Sequence, residues 1–576
     1  MAVRKESWNT RIGVILAVAG SAVGLGNFLR FPGQAAQHGG GAFMIAYFVS
    51  LLILGLPICW AEWTMGRLGG RMGFNSCPGI LNAITRHPAA KYLGVIGVVI
   101  PIIIYMYYVY IEAWCLGYAI SFLRGEMNFN RVEDAAGHWG AFIGAGKDGD
   151  AFGFGWGEVG GYLIFVFILN FILIYRGLAK GIEWFCKFAM PTLILLALLV
   201  LVRVLTLGAP DANHPENSVS KGLGYLWNPN KIILEERVAD GTAEAAWRQT
   251  ALLLPDEYAS LRETVEADPA RRITKTTLLE KIQSPKVWLA AAGQIFFSLS
   301  VGFGIILTYA SYLRKNDDVV LSGLAATSAN EFCEVAMGGL ITVTAGFVFL
   351  GIAGVAANSS TFDLGFKVLP LVFSEMPAGG LFGFLFFFLL FLAAVTSSLS
   401  MLQPGIAFVE EALDINRRQS VAILGVITAF GCAFVVYFSK DVKALDTLDF
   451  WVGTFLIYIL ATIQIIIFGW VLGIDKGFEE AHRGSAIRIP RFFGFIMKWI
   501  CPAFLLLIFS TWVIKDVVGL GAGDPDYHIL DLFGETANTT AWLSIGVIAI
   551  MFSFVAILVS RVKKYRAVYD QPLQES

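Results

Sequence analysis

Hydrophobic positions in this chain do not alternate with polar ones; they gather into long, nearly unbroken runs. Runs of membrane-spanning length fall near 12–36, 41–65, 92–123, 161–176, 185–207, 288–312, 327–356, 379–409, 420–438, 450–473, 493–515 and 541–560. About 20 apolar helical residues cross the hydrocarbon core of a bilayer. The pattern therefore predicts an all-α integral membrane protein with twelve transmembrane helices. Two stretches interrupt it. Residues 124–160 are Gly-rich and mixed in charge, as an ordinary loop is. Residues 209–286 are longer, and within them 233–282 is rich in Glu, Arg and Ala. Apolar residues there at helical spacing (Leu252, Leu253, Leu254, Tyr258, Leu261) predict one or two short amphipathic helices capping the outer face.

Two of the runs are interrupted from within. In the first span, Gly20-Ser21-Ala22-Val23-Gly24-Leu25-Gly26-Asn27 is followed closely by Arg30 and Pro32. Each interior Gly costs a helix about 1 kcal/mol relative to Ala. Backbone released from helical bonding at membrane depth survives only when buried in protein or lining a polar cavity. The sixth span repeats the device in Gln294-Ile-Phe-Phe-Ser298-Leu-Ser300-Val-Gly302-Phe303-Gly304. One such segment alone reads best as small residues allowing tight helix packing. Two, five spans apart, read as broken helices at matching positions of two five-helix inverted repeats, the pattern of a transporter site. The chain then divides into 1–10, an N-terminal segment; 11–207, the first repeat; 208–286, the external loop with its insert; 287–473, the second repeat; and 474–576, the last two spans and C-terminus.

Composition narrows the class further. Of 576 residues 56% are hydrophobic and only 15% charged, which excludes an ordinary soluble domain. The near-neutral net charge of −2 hides an asymmetry. Lys and Arg concentrate in alternate connections, among them Arg4, Lys5 and Arg11, then Arg67 and Arg71, Arg417 and Arg418, and Arg561, Lys563 and Lys564. The positive-inside rule makes both termini cytoplasmic. Nothing points to a nucleic-acid partner. All seven cysteines lie in or beside spans or on the cytoplasmic side, leaving no external disulfide framework. Arg30-Phe31-Pro32 stands where a signal peptide would be cleaved, so no cleavable leader is expected. A membrane enzyme would need a nucleophile–base pair or a metal cluster, yet the six histidines (38, 87, 138, 214, 482, 528) lie outside the spans without ligand spacing. A channel would need a repeated filter or a continuous polar face, and neither is present.

Several ordered motifs resemble the neurotransmitter:sodium symporter family over most of the chain. They are Gly24-Leu-Gly-Asn-Phe-Leu-Arg-Phe-Pro32, His38-Gly-Gly-Gly-Ala-Phe43, Tyr107-Tyr-Val-Tyr-Ile-Glu112, Gly293-Gln-Ile-Phe-Phe297, Thr396-Ser-Ser398 and Leu448-Asp-Phe-Trp451. The insert at 233–282 is the main departure. The resemblance implies a sodium-coupled carrier with two sodium sites. One would use Ala22, Asn27, Ser298 and Asn330, with Ser298 standing where a leucine-carrying member has Thr and keeping the hydroxyl. The other would use carbonyls of Gly20, Val23 and Ala393 with the hydroxyls of Thr396 and Ser397. Hard cations prefer such oxygen cages.

The substrate site implied by the resemblance comprises Ser21, Ala22, Gly24, Gly26, Ile104, Tyr108, Phe297, Ser298, Ser300, Phe303, Ser397 and Met401. Monoamine carriers of the family place an Asp where Gly24 stands here. Glycine leaves the carboxylate to the substrate and implies an α-amino acid. The pocket holds no charge, so the side chain should be neutral and mostly apolar. Ser21, Ile104 and Met401 replace Asn, Val and Ile of the leucine-carrying member, leaving alanine, valine, methionine or a larger residue open. Arg30 and Asp449, supported by Gln294, would form an outer gate, with Phe303 as its lid. Lys5 and Glu411 would form an inner gate, keeping the charges but not the fork geometry of an Arg–Asp pair.

Glu334 lies one helical turn beyond Asn330 on the same face. In the family a carboxylate here replaces the chloride that animal members require, which implies chloride independence and protonation during the return step. Glu62 and Glu112 read as supporting structural acids. The expected protein is a multi-pass prokaryotic inner-membrane carrier, with a homodimer left open. A proton-coupled carrier and a non-transporting amino-acid sensor of the same fold remain alternatives.

Overall fold

A computed structural model describes residues 8–211, 214–238, 246–520, 526–534 and 537–568. Among them nine helices are long and apolar enough to cross a membrane, ten when the bent pair Arg11–Ala22 and Gly26–Gln37 counts as one span. The two remaining runs of the predicted twelve are helical but fall short as single helices. Run 161–176 is the 17-residue helix Val159–Tyr175, and run 288–312 is the broken pair Pro285–Leu299 and Ile305–Ser311. The third span, within Ala90–Leu123, is buried almost throughout and packs along the eighth, Gly379–Leu413. The last span, Thr539–Arg561, leaves Ile550 and Ile557 exposed, as a lipid-facing helix does.

Both breaks are as the glycine pattern predicts. The first half-helix is capped by Thr10, whose hydroxyl accepts from the Gly13 N–H at 3.0 Å. It ends at Ala22, Val23 takes extended geometry, and the second half leaves at 46°. In the sixth span, Ser300, Gly302 and Gly304 take φ of +54°, +77° and +79°, between the two half-helices. A Cβ on Gly302 would stand 2.7 Å from the Ile457 carbonyl, so its left-handed backbone and close packing both call for glycine.

The external insert corrects the expectation of amphipathic helices alone. It contains a three-stranded antiparallel sheet in the order β2-β1-β3, from β1 Lys231–Val238, β2 Ala246–Leu253 and β3 Arg271–Thr276. Leu252 pairs with Ile233 in this sheet, and both are buried. The helical spacing read across 252–261 joins the end of β2 to the start of the helix Pro255–Glu266. The end of a strand followed at once by the start of a helix had produced a single period. Strand β2 packs on the seventh span's final helix, Leu340–Ala357.

The insert is also tied to the first span. Tyr225 donates its hydroxyl to the Ala36 carbonyl at 2.8 Å, and the Lys231 ammonium lies 3.5 Å from the Tyr225 ring centroid. Lys231 is buried and its Nζ has no hydrogen-bond partner. Burial, helped by the charge of Lys281, pushes the Lys231 ammonium down to about 7. The unfolded chain keeps that proton to about pH 10.4. Between these limits the unfolded state binds more protons, so this group makes stability rise with pH; below about 7 the full cost of burying the charge is present. Lys231→Met is expected to unfold at a higher temperature than wild type at pH 6–7 and to lose the alkaline gain. Thermal denaturation of purified protein from about pH 6 to 10 checks this, and parallel wild-type and variant profiles would refute it.

Candidate functional site

The two breaks face each other in the middle of the bundle, and each freed backbone group named here has a partner. The Gly24 N–H donates to Asn27 Oδ1 at 2.8 Å and the Leu25 N–H to the Tyr108 hydroxyl oxygen at 3.2 Å. The Gly302 N–H donates to Glu62 Oε1 at 3.2 Å. On the acceptor side, the Ser21 carbonyl receives the Ser300 hydroxyl at 3.1 Å and the Ser397 hydroxyl at 3.3 Å. Side chains from the first, second, third, sixth and eighth spans thus hold the unwound segments together.

Two oxygen-rich clusters flank this junction. In the first, Asn27 Nδ2 donates to Asn330 Oδ1 at 2.8 Å, and Asn330 Nδ2 donates to Ser298 Oγ at 2.7 Å. Ala22 ends the first half-helix. In the second, Thr396 Oγ1 donates to the Ala393 carbonyl at 2.9 Å and Ser397 Oγ to the Gly20 carbonyl at 3.4 Å. Gly20 approaches so closely that a Cβ there would lie 3.2 Å from the Thr396 Cβ. Val23 caps the same turn through its N–H to the Ala19 carbonyl at 2.6 Å. Carbonyls, amides and hydroxyls of this kind suit a hard monovalent cation.

Glu334 is fully buried and hydrogen-bonds to Asn27, Asn330 and Ser298 of the first cluster. It accepts from Gln294 Nε2 at 2.7 Å, from Asn27 Nδ2 and Asn330 Nδ2 at 3.2 Å each, and from the Ser298 hydroxyl. Gln294, expected at the outer gate, is therefore committed to Glu334. A neighbouring acid that the sequence reading passed over is Glu331, which accepts the Tyr47 hydroxyl at 2.8 Å and Asn330 Nδ2 at 3.5 Å. Its signal was present: an ionisable residue inside a span is a functional candidate wherever it occurs. Glu112 accepts from the Ser398 hydroxyl at 2.6 Å and Asn170 Nδ2 at 3.0 Å, and so braces the eighth span from behind the second cluster.

The residues expected to hold substrate are packed closely together. A Cβ on Gly24 would stand 2.8 Å from Ser397 Oγ and 2.9 Å from the Tyr108 hydroxyl. One on Gly26 would stand 2.8 Å from the Phe297 ring. Phe297 and Phe303 meet edge to face with centroids 6.4 Å apart. Ile104, Met401, Ser21 and Ser300 are all buried.

The gate residues are arranged differently from the expected pairs. Arg30 lies with its guanidinium carbon 4.5 Å from the Phe297 ring centroid, a cation–π contact. Asp449 instead accepts the Tyr107 hydroxyl at 2.6 Å, and among the described residues no ion pair joins Asp449 to Arg30. Glu411 accepts from the Asn75 N–H, the Ser76 hydroxyl and the Tyr565 hydroxyl, the last at 2.9 Å. Its expected partner Lys5 lies outside the described residues. The N-terminal segment is pinned another way. Trp8 is buried and donates Nε1 to the Tyr309 carbonyl at 3.1 Å, while Glu183 receives the Asn9 N–H and the Thr10 hydroxyl at 2.9 Å each.

Comparison with known proteins gives this geometry its context. The sequence profile described as the Sodium:neurotransmitter symporter family matches residues 5–138 and 272–563. The chain belongs to that family. It is a multi-pass membrane protein of a sodium-coupled symporter family, not of an enzyme family. The match leaves out 139–271, which contains most of the insert. An uncharacterised sodium-dependent transporter of Methanocaldococcus jannaschii is 28% identical over 525 residues, covering 88% of this chain and 90% of that one. The sodium-dependent serotonin transporter of Drosophila melanogaster is 26% identical over 540 residues, covering 91% and 79%. The crystal structure of MhsT in complex with L-phenylalanine superposes with a TM-score of 0.68 at 24% identity, covering 88% of this chain and all of that one. That likeness shows the fold.

Asn330 supplies donors to both Ser298 and Glu334. Asn330→Ala should leave those buried acceptors short of partners and cost about 1–3 kcal/mol. Thermal denaturation in sodium-free buffer reads it directly; an unchanged midpoint would show that the network adds no stability without the ion.

Proposed function

We propose that this chain carries a neutral, mostly apolar amino acid together with sodium by alternating access and without a chloride requirement. The observation that carries the reading is the enclosure of Gly24. With Ser397 Oγ and the Tyr108 hydroxyl within 3 Å of where a Cβ would sit, any side chain at that position would have to displace both groups. An amine substrate would need a carboxylate from the protein there, whereas an amino acid brings its own. The Tyr108 oxygen accepts the Leu25 N–H and keeps its own O–H to donate. The start of the half-helix at Gly26 adds positive dipole for the same carboxylate. Carbonyls of Ala22, Phe297 and Ser300 would receive the substrate ammonium. The phenylalanine bound to MhsT supports an amino acid of this class.

In this reading the first cluster, Ala22, Asn27, Ser298 and Asn330, holds one sodium, completed by the substrate carboxylate. The second, Gly20, Val23, Ala393, Thr396 and Ser397, holds the other. Substrate then binds well only after the first cluster is charged, which couples the two cargoes. Glu334 supplies the negative charge beside the first cluster, removing the need for chloride and giving a proton somewhere to sit on the empty return. Arg30 and Asp449 close the outer side by leaving Phe297 and Tyr107 for each other. Lys5 and Glu411 would act at the inner side, with both termini cytoplasmic in a prokaryotic membrane.

Sodium-dependent binding of the standard amino acids to purified protein, with lithium, potassium and proton controls, tests the reading. Binding without sodium would favour a proton-coupled carrier; sodium-dependent binding with no uptake into liposomes would favour a sensor. Tyr108→Phe removes one charge-assisted hydrogen bond and is expected to weaken binding roughly tenfold or more. Gly24→Asp should abolish it, and amines lacking a carboxylate should not bind wild type. Glu334→Ser is expected to make uptake chloride-dependent; equal uptake in chloride and gluconate by that variant would refute the assigned charge.

A further inference from the structure

A cleft of about 630 Å³ opens where the fourth span ends and the fifth begins, lined by Asn9, Tyr175, Arg176, Lys180, Trp184 and Arg418 among others. Three cations meet there from two different connections, since Arg418 belongs to the first turn of the ninth span, Arg417–Tyr437. Among the described residues none of the three makes an ion pair. The nearest acid along the chain, Glu183, is buried and already receives Asn9, Thr10 and Lys187. The cleft therefore carries an uncompensated positive charge. Its walls are also aromatic. Tyr175 and Trp184 are 47% and 56% exposed, and the Arg418 guanidinium carbon lies 5.6 Å from the Tyr175 ring centroid.

Amphipathic aromatics beside cations mark the depth of lipid headgroups. Exposed apolar side chains lead away from the cleft along both helices, Ile172 and Ile168 on the fourth span and Phe188 on the fifth. This gives the two halves of a phospholipid their complements: cations for the phosphate and apolar tracks for the acyl chains. A free phosphate ion would use only the first half.

We infer that this cleft binds the headgroup of an anionic phospholipid. The inference does not depend on which ions or substrate the transporter carries; only the assignment of the lipid to the cytoplasmic leaflet rests on the orientation proposed above. Bound there, the lipid would lie against Asn9, whose N–H is held by Glu183. It would thereby brace the N-terminal segment that inserts Trp8 into the bundle.

The test uses delipidated full-length protein in detergent, titrated with phosphatidylglycerol, cardiolipin or phosphatidylcholine and followed by thermal denaturation and native mass spectrometry. Anionic lipid is expected to raise the unfolding temperature saturably and to remain bound in the mass spectrum, while phosphatidylcholine does neither. Arg176→Gln/Lys180→Gln/Arg418→Gln should weaken the anionic effect about tenfold or more and leave sodium-dependent amino-acid binding in detergent unchanged. Arg418→Gln alone should give a partial loss, which preserves the test if the triple variant folds poorly. Equal stabilisation by phosphatidylcholine, full retention of the anionic effect in these variants, or its reproduction by inorganic phosphate would each overturn the inference.

Discussion

A backbone amide stripped of its helical partner inside a membrane has to be answered by protein, and this requirement organises the centre of the molecule. The first span's N–H groups leave helical bonding at 24–25, and the sixth span breaks at 300–304. Their freed N–H groups are met by Asn27, Tyr108 and Glu62, and the Ser21 carbonyl by Ser300 and Ser397. At hydrocarbon depth each group left without a partner would cost several kcal/mol. The second, third and eighth spans are consequently more than scaffolding. They carry side chains that let two broken helices stand, and Tyr108 and Ser397 among them border the expected ion and substrate positions.

The first oxygen cluster shows how one buried carboxyl group organises its neighbours. Amides of Gln294, Asn27 and Asn330 all turn donors toward Glu334. Asn330 and Asn27 simultaneously present their remaining polar atoms to Ser298, to each other and to the Gly24 turn. A cation entering such a cluster competes with these internal bonds, so ion binding and rearrangement at the break are linked in the proposed cycle. Glu331 and Tyr47 extend the network by one more residue pair.

The chain's own sequence carried most of this because the signals are local. A glycine-rich stretch in an apolar run is readable without knowing what lies opposite, whereas Asn27 and the hydroxyl pair at 396–397 gained a role only through the family resemblance. The insert was legible only in part. Leu252, Leu253, Leu254, Tyr258 and Leu261 fit a helical period, yet the first two lie in a strand whose partner Ile233 is some 20 residues away. Strand pairing is a non-local contact, and a short apolar run cannot distinguish it from a helix turn. The gates failed to resolve for a related reason. The family resemblance placed Arg30 near Asp449, but each has a competing neighbour, Phe297 and Tyr107, invisible from spacing along the chain.

The hydrophobic pattern alone determined the helical membrane architecture and where two helices must break, because lipid leaves an unpaired backbone no alternative. Residue identity alone determined that position 24 carries no charge. Only the tertiary structure decided that Ser397 and Tyr108 close around that position, that Gln294 serves Glu334, and that β2 lies on the seventh span. Those are contacts between segments dozens to hundreds of residues apart, fixed by packing geometry that no local period encodes.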